Sequence, residues 1–309
     1  MENKKFTVLS LDGGGSKGVY TLGILKELEL KLGGKLHEHF DLIYGTSTGS
    51  IIASLVALGH DIPSLEKLYY ELIPKIMCGN SKRERSSQLK IQADTIFKDQ
   101  KFDAFKTMVG IVALNYDKQT PLVFKTNIQQ AHGMKQSFQP GFGCTISEAV
   151  QASCAAYPIF EIKQVQTQNQ GLVNAVDGGY IANNPTLFSL IDAYKAVGHS
   201  VENTRILSIG TGRFVEKPIS LRMRILKRFK MTQFIERVFT ANTVSNETLT
   251  RLLYPDLNIV RINDVFSEPE YGTNMVEVNQ VKLKKMLQLG RDSYAKHEKE
   301  LLALFNLTR

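Results

Sequence analysis

Cysteine is scarce in this chain of 309 residues, with only Cys78, Cys144 and Cys154. Their number is odd and their spacing fits no metal-ligand pattern, so neither a disulfide framework nor a zinc site follows. A reducing compartment fits. Proline is scarce too, at nine residues, and no Pro/Gly/Ser-rich stretch divides the chain. The expectation is one domain over 1–309, with chemical motifs in 6–212 and a less diagnostic helical part in 213–309. Long apolar runs are missing: nothing approaches the roughly 18 consecutive apolar residues that span a bilayer. The opening Met-Glu-Asn-Lys-Lys-Phe lacks the apolar core of a secretory signal. The expected location is therefore the cytosol, with peripheral membrane association when the protein is active.

Acid is also in short supply. Lys and Arg number 38 against 30 Asp and Glu, a net charge of +8. A basic surface favours anionic partners such as membrane headgroups or nucleic acid, or simply keeps a protein soluble. The remainder is ordinary for a globular chain, with 43% hydrophobic and 22% charged residues.

The chain opens as strand, Gly-rich turn, helix, strand, sharp turn, helix. Phe6 to Leu11 is a strand that stops at Asp12-Gly13-Gly14-Gly15. Leu22, Leu25, Leu28 and Leu32 then recur at helical spacing up to Gly33-Gly34. Phe40 to Tyr44 is a second buried strand that meets Gly45-Thr46-Ser47-Thr48-Gly49, and Ile51 to Leu58 is helical. Further along, Ser64 to Ile73 is helical and Lys82 to Arg85 reads as a basic loop. Strands are predicted at 109–114, 122–125, 172–176, 205–209 and 258–262. Helices are predicted at 145–156, 186–196 and 277–305. This alternation implies an α/β fold: a central, mostly parallel sheet flanked by helices on both faces.

Gly45-Thr46-Ser47-Thr48-Gly49 has the spacing of a nucleophile elbow. A serine on a tight strand-to-helix turn is pushed outward, and the N-terminus of the following helix aims partial positive charge at its oxygen. A turn of small residues without chemistry has the same composition, so the strand before it and the helix after it carry the weight. Asp12-Gly13-Gly14-Gly15-Ser16-Lys17-Gly18 leaves backbone N–H groups free to converge on an anion. That anion is either a phosphate or the oxyanion of an acyl intermediate. Gly13, Gly15 and Gly18 fit G-x-G-x-x-G literally, but Asp41, the nearest candidate acid further on, stands at the beginning of the second strand instead of ending it. None of the six histidines lies in a Gly-rich turn at a strand end. Asp177, which ends the strand 172–176 ahead of Gly178-Gly179, is the better placed base, although Asp-Gly is also a common turn pair.

Taken together, these segments resemble the patatin-like phospholipase family. Asp12 to Gly18 resembles its oxyanion loop, and Gly45 to Gly49 its nucleophile elbow. Ala149-Val150-Gln151-Ala152-Ser153-Cys154-Ala155-Ala156-Tyr157-Pro158-Ile159-Phe160 resembles its helix-to-proline segment. Asp177-Gly178-Gly179 with Asn183-Asn184-Pro185 resembles its base motif. The resemblance runs from about Phe6 to about Gly212, with one departure: Lys17 stands where the family often has arginine, which keeps the charge but loses the planar fork of donors. The resemblance implies a serine acyl hydrolase acting on phospholipid esters. Ser47 would be the nucleophile, Asp177 the base and the N–H groups of Gly13, Gly14 and Gly15 the oxyanion hole, with no cofactor or metal. It extends to bacterial enzymes switched on by a cyclic nucleotide in anti-phage defence. The expected partners are a phospholipid membrane surface, a cyclic-nucleotide activator and further copies of the chain, but no nucleic acid polymer. The alternative from another class is a signalling module that binds a nucleotide or phosphate on the Gly-rich loop and hydrolyses nothing.

Arg222, Arg224, Lys227, Arg228 and Lys230 crowd the stretch from Leu221 to Lys230, which has no acid. Leu221, Ile225 and Phe229 share one helical face. Such a segment lies on an anionic membrane or is an ordinary surface helix. If it docks to membrane, reversing Arg224, Lys227 and Arg228 together should lower affinity for anionic vesicles by roughly two powers of ten, at about 1 kcal/mol per charge. Hydrolysis of a small soluble ester should be spared. Equal vesicle binding by mutant and wild type would make the stretch an ordinary helix.

Overall fold

The structure, a computed structural model, describes residues 5–126, 140–168, 170–215 and 231–307. The basic segment 221–230 lies outside the described residues. Strand β1 (Phe6–Leu11) is buried at every position, as a central strand covered on both faces must be. Phe6 and Val8 face one core; Leu9 and Leu11 face the other. Parallel neighbours flank it, β2 (Leu42–Thr46) on one side and β8 (Thr204–Ile209) on the other. Outside these lie β10 (Asn258–Ile262), parallel to β8, and β3 (Met108–Asn115), parallel to β2. The far side turns antiparallel. β3 pairs with β4 (Thr120–Lys125) and with β7 (Gly171–Asp177), and β7 pairs with β6 (Lys163–Thr167). The two-residue strand β5 (Pro140–Gly141) extends β4, and β9 (Arg213–Phe214) pairs with β11 (Val265–Phe266) apart from the main sheet.

The register of β3 positions the site. Along one flank β3 pairs with β4 throughout, so β2 and β7 share the other flank. β2 occupies it up to Thr46, opposite Val112, and β7 ends there with Asp177 opposite Ala113. The C-terminal ends of β2 and β7 therefore meet head to head.

The larger core lies under α1 (Gly18–Leu32), α2 (Thr48–Ala57), α3 (Ile62–Met77), α4 (Lys82–Phe97), α5 (Ile146–Ser153) and α9 (Gln280–Leu304). The opposite face is covered by the short α6 (Gly179–Ala182) and by α7 (Thr186–Ile191), which continues into a π-helical turn over Asp192–Val197. In that turn Asp192 accepts hydrogen bonds from Lys125, at 2.6 Å, and from Tyr44, all fully buried. The long helix α8 (Met231–Leu253) packs on α6 and α7. The fold is thus α/β, with helices on both faces of a mostly parallel sheet.

Several boundaries differ from the sequence expectation. Lys82 to Arg85 is the first turn of α4 and not a loop, because Ser81 Oγ caps it by accepting the Glu84 N–H at 3.1 Å. The second strand runs two residues further, to Thr46. The helix expected at 145–156 stops at Ser153, with Thr145 as its cap.

Where α1 crosses α9 the backbones touch. A Cβ on Gly290 would lie 2.1 Å from the Tyr20 carbonyl oxygen, and one on Gly23 would lie 2.2 Å from that of Leu287. Helix propensity alone says that Gly290→Ala gains about 1 kcal/mol. The contact reverses the sign. Gly290→Ala should destabilise by about 1–3 kcal/mol, the usual range for overpacking, and chemical denaturation should show a lower midpoint. A higher one would mean that the two helices can part freely.

Candidate active site

Ser47 closes β2 and starts α2 with φ +52° and ψ −124°, a conformation that is strained for a residue with a side chain. Local packing enforces it. A Cβ on Gly45 would meet the Gly49 carbonyl oxygen at 2.3 Å, and one on Gly49 would meet that of Leu11 at 2.3 Å. The turn can be this tight only because both residues are glycine. The Ser47 N–H donates to Ser153 Oγ at 2.9 Å, and Ser153 in turn donates to the Val112 carbonyl at 2.6 Å. The Ser47 carbonyl accepts both the Ser50 N–H, at 2.8 Å, and the Ser50 hydroxyl, at 2.7 Å. The Ser47 hydroxyl makes no cap to its own helix, so it stays available in front of the α2 N-terminus.

Asp177 is fully buried. Its Oδ1 accepts the Gly179 N–H at 2.7 Å, while Oδ2 has no hydrogen bond of normal geometry. Burial pushes its pKa up to about 7, held back by the Gly179 N–H and by the Ser47 hydroxyl that faces the carboxyl. The structure therefore brings Ser47 and Asp177 together. Cys154 lies beside them, but burial, with Asp177 adding to it, pushes its thiol far above the usual range. It is a neutral wall, not a second nucleophile. Among the described residues no histidine lines this site.

The Gly-rich loop crosses above. The Gly13 N–H is engaged, donating to the Asn183 carbonyl at 2.9 Å. It is therefore not free for an oxyanion here, contrary to the expectation from the sequence. For the N–H groups of Gly14 and Gly15 no protein partner is found among the described residues. Gly15 has φ +58° and presses against the Met275 carbonyl, which accepts the Ser16 N–H at 2.9 Å. Lys17 is buried and donates to Glu236 of α8 at 2.6 Å. Below the loop, Arg261 of β10 grips Asp12 with two bonds of 2.8 and 2.6 Å, a bidentate geometry that holds the root of the loop.

Ser47 and Asp177 open into a cavity whose walls are almost wholly apolar, including Leu72, Ile73, Ile76, Leu89, Ile159 and Phe160. A hydrocarbon chain would replace water there at a gain. Sequence reasoning assigned no role to Ser153, Arg261 or Met275. Arg261 left a signal: a charge in the middle of a buried parallel strand needs a partner. Ser153 and Met275 left none, because their partners are remote in the chain.

Comparison with known proteins shows the family. The sequence profile of the family described as patatin-like phospholipase matches residues 9–189. A cUMP-AMP-activated phospholipase of Escherichia coli is 43% identical over 294 residues, covering 95% of this chain and 92% of its own length. A cGAMP-activated phospholipase of Pseudomonas aeruginosa is 30% identical over 220 residues, covering 67% of this chain and 62% of its own. Among solved structures, the fold resembles human GIVD cytosolic phospholipase A2, with a TM-score of 0.53, 12% identity, and coverage of 98% of this chain and 60% of that one. VipD from Legionella pneumophila has a TM-score of 0.52, 13% identity, and coverage of 98% and 67%. A profile match over more than half the chain, together with close identity along nearly all of it, places this lipid ester hydrolase in the patatin-like phospholipase family.

Proposed function

We propose that the protein is a phospholipase that cleaves fatty-acyl esters of membrane lipids with a Ser47–Asp177 dyad. The observation that carries this is a strained serine facing a desolvated carboxyl at the mouth of an apolar cavity. Asp177 takes the Ser47 hydroxyl proton as Oγ attacks the ester carbonyl. The Gly14 and Gly15 N–H groups and the α2 N-terminus receive the oxyanion. The intermediate then collapses, the lysolipid oxygen takes the proton back from Asp177, and an acyl-Ser47 ester remains. Water then gives a proton to Asp177 as its oxygen bonds to the acyl carbon, Ser47 Oγ leaves and takes that proton back, and the fatty acid is released. A carboxylate of ordinary pKa is a poor base near neutrality, and a value near 7 suits the task.

The E. coli relative is named for activation by cUMP-AMP, which supports a cyclic dinucleotide as the switch for this chain and degradation of the cell's own membrane, in defence against phage, as the outcome. Among the described residues no helix is long and apolar enough to cross a membrane, so the substrate would be reached by peripheral association. The phosphate-binding module without hydrolysis loses ground, because such a module needs neither Ser47 in this conformation nor Asp177 beside it.

Ser47→Ala and Asp177→Asn should each abolish labelling by a fluorophosphonate probe and hydrolysis of a soluble ester. For wild type, kcat/KM should hold above pH 7 and fall below it, approaching tenfold per unit, as Asp177 takes up a proton. A profile flat from pH 5 to 8 would remove Asp177 as the base.

The same shift has a consequence for stability. The folded pKa of about 7 lies above the unfolded one of about 3.9, so the native state holds the proton more tightly. Stability from this group is full below about pH 4 and is lost as pH rises through 7. Asp177→Asn cannot ionise and keeps an acceptor for Gly179. At pH 8 it should be more stable than wild type by at most about 4 kcal/mol. The advantage, read by urea denaturation, should shrink between pH 7 and pH 4, and no change with pH would show that the carboxyl is not desolvated.

A further inference from the structure

On the other side of the glycine loop lies a second cavity, with several charged and polar residues in its walls. One wall is the loop, with Gly14 and Lys17; the facing wall is α8, with Glu236, Thr240 and Thr243; Arg213 of β9 completes it. We infer that this cavity is a phosphodiester-binding site through which a ligand controls the oxyanion loop. The inference rests on the nucleotide-activated reading above and gives the switch a place.

Charge supports an anion. The two carboxylates that line the cavity already have cations: Glu236 holds Lys17 at 2.6 Å, and Asp12 holds Arg261. Beyond the lining, Glu247 lies 3.5 Å from Arg261 and 3.1 Å from Arg251. Arg213 is left over. Its guanidinium makes no hydrogen bond or ion pair among the described residues, although it is partly buried. An unpaired guanidinium in a concave polar site is well matched to a phosphate. A second observation is independent of charge. Asn183 lines the same cavity and is only 6% exposed, and its Oδ1 has no partner. A buried acceptor left unsatisfied calls for a donor, which a sugar hydroxyl or a base amine would supply.

The coupling is geometric. Gly14 lines the polar cavity while Gly15 lines the one that holds Ser47, so the peptide between them is a shared wall. Met275 lines both. Helix α8 touches the loop through Glu236 and Lys17, and it touches the base motif through Asn242, whose Oδ1 accepts the Asn183 N–H at 2.8 Å. A phosphate drawn to Arg213 would compete with Glu236 for Lys17 and loosen the grip of α8 on the loop. Gly14 and Gly15 would then be free to re-aim their N–H groups.

The test uses the full chain, with Arg213→Ala on β9 and Thr240→Glu on α8, each checked for folding by circular dichroism. Cyclic UMP-AMP is the nucleotide probe, read by calorimetry and by stimulation of soluble-ester hydrolysis. Short-chain phosphatidylglycerol is the headgroup probe, read by KM. Arg213→Ala should weaken nucleotide binding by about 10- to 100-fold, the range for losing one charge-assisted hydrogen bond, Thr240→Glu should weaken it by about tenfold or more by setting a carboxylate against the phosphate, and the concentration for half-stimulation should rise in parallel. Nucleotide binding that is strong in wild type and equal in both variants would place the activator elsewhere and overturn the site, leaving nucleotide activation intact. If wild type binds no nucleotide, the activated reading fails and the headgroup arm decides. A KM for phosphatidylglycerol raised about tenfold or more in both variants keeps the phosphodiester site with lipid as its source, and an unchanged KM overturns it.

Discussion

The backbone strain at Ser47 is the constraint around which the rest of the site is arranged. A non-glycine residue at φ +52° costs on the order of 1–3 kcal/mol and persists only where its surroundings over-determine it. Here they do. The close approach of Gly45 to Gly49 and of Gly49 to the end of β1 leaves no room for the chain to relax. Ser153 fixes the Ser47 N–H and is itself anchored to β3 through Val112. The turn therefore ties together the ends of β1, β2, β3 and α5. The side chain it releases points where no cap to its own helix consumes it.

The placement of Asp177 depends on a second feature, the antiparallel return of β7. In a wholly parallel sheet the flank of β3 beyond Thr46 would be open. β7 fills it from the opposite direction and delivers Asp177 to the end of β2. The carboxyl arrives buried, with one backbone N–H on one oxygen and the Ser47 hydroxyl facing it. Desolvation raises its basicity, and the single N–H orients it without quenching it. The apolar walls of the cavity beside Ser47 also exclude water from the carboxyl, so the proposed acyl binding and the raised pKa of Asp177 would come from the same walls.

Much of this was legible because buried parallel strands are short apolar runs and the turns that follow them are marked by glycine. Phe6–Leu11 could be read that way; the antiparallel β7 was legible over 172–176 from its apolar run and the Asp-Gly-Gly turn after it, and the helix behind Ser47 from its apolar residues. The weaker signals misled. Strand β6 reads Lys-Gln-Val-Gln-Thr, with only Val165 and Thr167 buried, and it passed unnoticed. Helix α4 buries only Leu89, Ala93 and Phe97 among its 16 residues, too thin a stripe for its charged first turn to be seen as helical. The availability of the loop N–H groups was beyond the sequence for a different reason. Whether Gly13 is free depends on the Asn183 carbonyl, which a fold far longer in range than any motif brings to it.

That range also explains why the segment matched to the family, residues 9–189, does not account for the site by itself. Asp12 is neutralised by Arg261, Lys17 by Glu236, and the Ser16 N–H by Met275. All three partners follow residue 212, where the diagnostic motifs end. Without them the glycine loop would carry a buried carboxylate and a buried ammonium with nothing opposite, and each would cost several kcal/mol. The part of the chain with the least recognisable sequence thus holds the glycine loop in its shape. It meets the loop through ion pairs on a single helix and a single strand, contacts that an anion can compete for. A rigid apolar interface would have made the loop permanent. A charged one makes its geometry conditional, as the proposed activation by an anionic ligand would require.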